Sequence, residues 1–185
     1  MTEKLLDPHR LDMSTFARAG ASLAGDLPLA DLSRLAGSLL IGPASELPPV
    51  TWRADGSQRL VRGGQPETWL HLRAQAGVVL ECQRCLQPVQ QMIEIDRHFR
   101  FVAGEDEATR LDEDSEDDVL VLPPSLDLAT LVEDELILAL PLVPRHEACP
   151  QPLPMSVADA GALAEDDEPH PFAALAALRG PNPVN

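Results

Sequence analysis

The 185-residue sequence contains no tyrosine, and its two tryptophans and four phenylalanines bring aromatics to only 3%. Sheets that read single-stranded RNA usually stack its bases on exposed aromatics. Trp52, Trp69, His71 and His98 are the only such rings its strands offer, so sequence-specific base readout is not expected. Three cysteines do not make a disulfide scaffold, and the odd number points to thiols in a reducing compartment. No stretch of 18 apolar residues occurs, and the opening MTEKLLDPHRLDM lacks the basic-then-apolar order of a signal peptide. The expectation is a cytoplasmic protein with no membrane contact. A Gly-rich phosphate loop, an H-E-x-x-H and a Ser-His-Asp set in motif context are also missing, so an enzyme is not expected.

Positive charge is scarce too: the formal net charge is -16. Its distribution matters more than its size. Residues 1–49 carry 4 basic and 6 acidic side chains, residues 50–103 carry 7 Arg and 5 acids, and residues 104–185 carry 3 Arg and 19 acids. An anionic partner therefore meets the middle third, whose basic groups are all arginine, the side chain whose planar fork suits phosphate. Proline is abundant, at 18 residues, and collects where backbone ladders are not formed.

Periodicity divides the chain. LADLSRLAGSLL, residues 29–40, has leucines at helical spacing and a Gly-Pro stop, which predicts a packing helix. VTWRADGSQRLVRG reads as two short strands around a turn at residues 54–57, and Gly63-Gly64 as a further turn. TWLHLRAQAGVVLEC then alternates. Leu70, Leu72, Ala74, Ala76, Val78 and Leu80 share one side, and Trp69, His71, Arg73, Gln75 and Glu81 the other. VQQMIEIDRHFRFV repeats the pattern, with Val89, Ile93, Ile95, Phe99 and Phe101 opposite Gln90, Glu94, Asp96, His98 and Arg100. Arg97 joins the polar side only if a bulge re-aims it. Two long strands around a short break predict an antiparallel hairpin with one dry and one wet face.

GEDEATRLDEDSEDD, within 104–118, is too acidic to pack and reads as a mobile loop. VLVLPP follows as a short buried strand. SLDLATLVEDELILALP is the strongest helix, capped at Asp127 or Ser125, with Leu128, Leu131, Val132, Leu136, Leu138, Ala139 and Leu140 on its apolar side and Pro141 at its end. Glu133, Asp134 and Glu135 are consecutive and fan over different faces, as on a solvated helix surface. The fold class is α+β: an antiparallel sheet, open or barrel-like, with packing helices and disordered acidic segments. Residues 1–149 form one domain, and 150–185 a mostly disordered tail with a short helix at 171–179.

Cys82 and Cys85 sit at the break between the two long strands, and His146 and Cys149 follow the strong helix at the same i, i+3 spacing. Two such pairs offer a tetrahedral zinc four soft ligands. Two other readings stand beside it. A redox C-x-x-C wants a helix N-terminus, which Pro88 and the period-2 pattern after it oppose. Alternatively, these are turn cysteines that simply pack two segments together.

The stretch LECQRCLQPV, the acidic break, DLATLVEDELILALPLVPRHEAC and HPFAALAALRG, in this order from about residue 30 to 179, resemble the YceD family of large ribosomal RNA subunit accumulation proteins. Cys82-x-Arg84-Cys85, Glu133-Asp134-Glu135, Leu140-Pro141 and Pro144-x-His146 carry the likeness. The resemblance implies a non-enzymatic ribosome-biogenesis factor that supports accumulation of 23S ribosomal RNA, by binding that RNA or a pre-50S particle. Family members carry a second cysteine pair where this chain has His146 and Cys149, which favours zinc or the remnant of a zinc site. Arg62, Arg73, Arg84 and Arg100 are the expected phosphate contacts on or near the sheet. The alternative is an acidic adaptor that engages a basic ribosomal protein, with the metal as a structural clip.

Overall fold

The computed structural model of the protein describes residues 7–40, 47–113, 115 and 117–151. The described residues up to Cys149 form one compact unit. Of the expected disordered tail at 150–185, all but residues 150 and 151 lies outside the described residues, the helix at 171–179 included.

Five strands make one sheet, in the order β1 (Ser22–Leu27), β2 (Val50–Arg59), β3 (Glu67–Glu81), β4 (Pro88–Val102) and β5 (Asp118–Val121). The first four are antiparallel, and β5 runs parallel to β4. The sheet is not closed into a barrel, since β1 and β5 are its two outer strands. The β3–β4 hairpin pairs Glu81 with Pro88 and continues without a slip to Thr68 and Phe101. That unbroken register keeps the dry row dry: Leu70, Leu72, Ala74, Ala76, Val78 and Leu80 are buried against Ile93, Ile95, Phe99 and Phe101. It also excludes the bulge at Arg97, which stays on the helix-covered side and reaches Glu135 there.

Other differences from expectation concern short elements. The turn at 54–57 does not exist, because β2 runs straight through it and pairs with β1 on one side and β3 on the other. The chain turns at the expected Gly63-Gly64, where the Gly63 φ of +78° suits a residue without a Cβ. The stretch 104–118, expected as a loop, holds α3 (Glu105–Asp112), whose Ala108 packs on Val102 and Val119. Its acids crowd the first turn, where they favour the helix dipole, and Ala, Arg and Leu supply good propensity.

The helix α1 (Met13–Arg18) is capped by Asp12, whose carboxylate accepts from the Thr15 N–H at 3.0 Å. Phe16 lies over β2 at Gly56, where an added Cβ would come within 2.5 Å of its ring. The leucine-rich stretch 29–40 does not form one helix. A single 3-10 turn at Leu29–Asp31 breaks at Leu32 and restarts as α2 (Ser33–Gly37). The helix α4 (Leu128–Leu138) is capped by Asp127, which accepts from Ala129 and Thr130. It buries Leu128, Val132 and Leu136 against the sheet, whereas Leu138 and Ala139 face solvent. The helices α1, α2 and α4 thus lie on the dry face, while the opposite face carries α3 at its β4–β5 edge and is otherwise uncovered among the described residues.

Candidate metal centre

The β3–β4 hairpin ends in the turn Cys82–Gln87. The Cys82 N–H donates to the Gln87 carbonyl at 3.0 Å and the Leu86 N–H to the Cys82 carbonyl at 2.8 Å. Leu86 takes the left-handed conformation, φ 58°, so that the chain can reverse immediately after Cys85. The segment that leaves α4 is laid against this tip: Gln83 donates its N–H to the carbonyl of the buried Pro144 at 2.8 Å. Pro141 and Pro144 fix its path by restricting φ.

This docking brings Cys82, Cys85, His146 and Cys149 together, with their ligand atoms all within 4.8 Å of one another. Cys82 is completely buried, while the other three are partly covered. The His146 Nδ1 lies 3.5 Å from the Cys85 sulfur, and Nε2 lies 3.0 Å from the Pro88 carbonyl. A carbonyl only accepts, so Nε2 carries the proton and Nδ1 presents its lone pair to the sulfurs. A ligating imidazole is oriented in this way when its far nitrogen donates to a backbone oxygen. Burial opposes ionisation of Cys82. The N–H groups of Cys85, His146 and Arg84 nevertheless donate towards its sulfur and, with the Cys85 side chain, hold the thiol down at about 5. For Cys149, burial and the neighbouring Cys85 and Cys82 push the thiol up.

Three thiols, one imidazole with a free lone pair and N–H donors turned towards a sulfur are a donor set suited to tetrahedral zinc. The redox alternative lacks its helix, because Cys82 begins a turn between strands. All three cysteines are free thiols.

The four expected phosphate-contacting arginines are not brought together. Arg62 lies in the β2–β3 connection and Arg84 in the β3–β4 turn, so the whole of β3, about 50 Å of strand, separates them. Arg73 donates to Asp55 at 2.8 Å, and Arg100 to Glu67 at 2.7 Å. Arg53 and Ser22 also hold Asp55, and the arginines with Ser22 keep its carboxyl well below the usual range. The open face of the sheet is therefore largely self-neutralised. Beside the Cys82, Cys85, His146 and Cys149 cluster, by contrast, Arg84 and Arg145 are exposed and form no ion pair among the described residues. They stand one residue beyond the bonded pair Gln83 and Pro144. Arg145 was not singled out from the sequence, although it flanks His146 as Arg84 flanks Cys85.

The acidic triplet of α4 is not a solvated surface. Glu133 and Glu135 are buried, and Asp134 is half-buried. The Glu133 carboxylate accepts from the N–H groups of Arg34 and Leu35 at 2.7 and 3.2 Å, and from the Arg34 guanidinium at 2.8 and 3.0 Å. It caps the N-terminus of α2 from another helix. Burial pushes its carboxyl up, but the Arg34 side chain and these N–H groups prevail and hold it below the ordinary value. Asp134 pairs with the other arm of Arg34. Glu135 lies 3.5 Å from Arg97, and burial raises its carboxyl above the ordinary value.

The model of the family described as large ribosomal RNA subunit accumulation protein YceD matches residues 70–179, more than half of the chain. The chain belongs to the YceD family. The match takes in most of the β3–β4 hairpin, α4 and all four residues of the candidate centre. The large ribosomal RNA subunit accumulation protein YceD of Haemophilus influenzae is 40% identical over 109 residues, which cover 58% of this chain. The chain spans 63% of the length of that YceD relative. No solved structure matches it. Among the described residues, no helix is long and apolar enough to cross a membrane.

Proposed function

We propose that the chain is a non-enzymatic, cytoplasmic ribosome-biogenesis factor that supports accumulation of 23S ribosomal RNA by contacting that RNA or a pre-50S particle. The family assignment supports the process. The contact surface is inferred from the tip of the β3–β4 hairpin, where Arg84 and Arg145 are exposed beside the Cys82, Cys85, His146 and Cys149 set. The same tip exposes Leu86, Leu142 and Val143. Zinc held by the four ligands would clip the hairpin to the segment after α4 and so fix both arginines in one place; its role there is structural. Arg73 and Arg100, already engaged with Asp55 and Glu67, contribute less.

The carrying observation is the pair of exposed arginines on a tip where four soft ligand atoms converge. Binding to large-subunit ribosomal RNA, measured at several salt concentrations, tests it. An R84A/R145A double variant should bind more weakly and flatten the log–log salt slope by about 1.5, since each phosphate contact contributes roughly 0.7–0.9. Equal binding by wild type and this variant, with loss instead on replacing Arg73 and Arg100, would return the contact to the sheet. The second reading, an acidic adaptor for a basic ribosomal protein, is favoured by Glu105, Asp106, Glu107, Asp112 and Glu113, all exposed on or beside α3. Recovery of free basic ribosomal proteins without naked RNA would select it.

A further inference from the structure

On the open face of the sheet, at the middle of the β3–β4 ladder, His71 stands directly opposite His98. Their imidazoles are stacked with centroids 4.1 Å apart and planes 6° from parallel. Asp96 precedes His98 by two residues and so shares its face, and its carboxylate lies 2.6 Å from the His71 Nε2. One ligand atom from each of the three lies within 4.8 Å of the others. Neither neighbouring arginine forms an ion pair with this carboxylate. Arg73, which faces Asp96 across the ladder, donates to Asp55, and Arg100 is paired with Glu67.

We propose that His71, Asp96 and His98 form a second metal site, one that takes an exchangeable divalent transition ion such as Zn²⁺ or Ni²⁺. Two imidazoles and one carboxylate are the donors that borderline ions select over Ca²⁺ or Mg²⁺. A tetrahedral zinc with bonds near 2.1 Å needs its ligand atoms about 3.4 Å apart. Rotation of these half-exposed side chains closes the remaining gap while the strands stay in register. Asp96 is 68% exposed, so coordination positions would stay open for water or an anionic oxygen. The site is distinct from the Cys82 centre, because it lies mid-strand on the face opposite α4 and contains no sulfur.

The test follows the imidazole nitrogen resonances of His71 and His98 in the full chain, first equilibrated with one equivalent of zinc and then titrated with Zn²⁺ near neutral pH. Both should shift together and saturate with one additional ion per chain. Asp96→Asn should weaken this event by about tenfold or more, the least effect seen when even an outer partner of a metal site is lost. His98→Ala should abolish the shift at His71, and Cys82→Ser should leave both shifts in place. Resonances that stay still in excess zinc would overturn the site. So would shifts of unchanged affinity in Asp96→Asn, a conservative change at an exposed position that leaves the fold intact.

Discussion

Glu133 and Arg34 make an unequal pair. The arginine is half exposed, while the carboxylate is 9% exposed and accepts two backbone N–H groups of α2 as well as the guanidinium. Glu133→Ala orphans those donors and is expected to cost about 1–3 kcal/mol, whereas Arg34→Ala leaves the cap in place and costs less. Urea denaturation of both variants checks the order, and an equal loss would mean that the ion pair matters and the cap does not. The two glutamates have opposite pH signatures. Glu133 is held below its ordinary value, so its stabilisation is full above the ordinary value and is lost as pH falls from there through the lower folded value. Glu135 is held above its ordinary value, so it costs stability once pH rises past the ordinary value, and most above its folded value. Glu135→Gln should therefore raise the unfolding midpoint near pH 7 and lose that advantage near pH 4. A midpoint unchanged at both pH values would remove this assignment. None of this was legible in V-E-D-E-L itself, because the group that buries Glu133 is Arg34, 99 positions away in sequence.

The long hairpin was legible because 15-residue strands repeat the period-2 pattern many times, and its unbroken register preserves both faces. The clustering of Cys82, Cys85, His146 and Cys149 was legible for a related reason: two i, i+3 pairs of soft ligands stand out against a chain with few cysteines. Among the short elements, β5 was legible from its apolar VLVL run before two prolines, and others were not. The helix α1 and strand β1 have six residues each, too few for either period to declare itself, and α3 is hidden by acids that favour solvent. What positions α1 is an absence, Gly56 beneath Phe16. Gly56→Ala should force the ring and the Ala17 backbone outward and destabilise the protein by about 1–3 kcal/mol, measured by thermal or urea unfolding. No loss would mean that α1 moves freely on β2. At the hairpin tip, the expected consequence of chelation or Cys82→Ser is local. Amide exchange should rise over residues 82–88 and 144–149, while the β2–β3 pairs from Thr51 to Arg59 keep their protection. Uniform loss of protection would instead make the centre part of the global core.

At the scale of the whole molecule, thirty acids against fourteen basic groups mean that the folded chain works against its own charge. The ion pairs on the sheet are mostly half exposed and worth little singly, so salt should help more than it harms. Raising ionic strength from a few millimolar to about 0.15 M is expected to raise the urea midpoint, because the Debye length shrinks to about 8 Å. A falling midpoint would show that the paired network outweighs the net charge. The acidic segment deserves a sharper experiment than deletion, since removing 104–118 would also take away α3, its Ala108 anchor and the first residue of β5. Charge reversal at Glu105, Asp106, Glu107 and Glu113 leaves that packing intact, although it sets cations at the helix N-terminus and costs a few tenths to about 1 kcal/mol per site. If the segment captures a basic ribosomal protein, reversal abolishes that binding and leaves any RNA contact at Arg84 and Arg145 intact or stronger. If it acts only as a repulsive screen, RNA affinity rises, the salt slope steepens and no protein partner is lost.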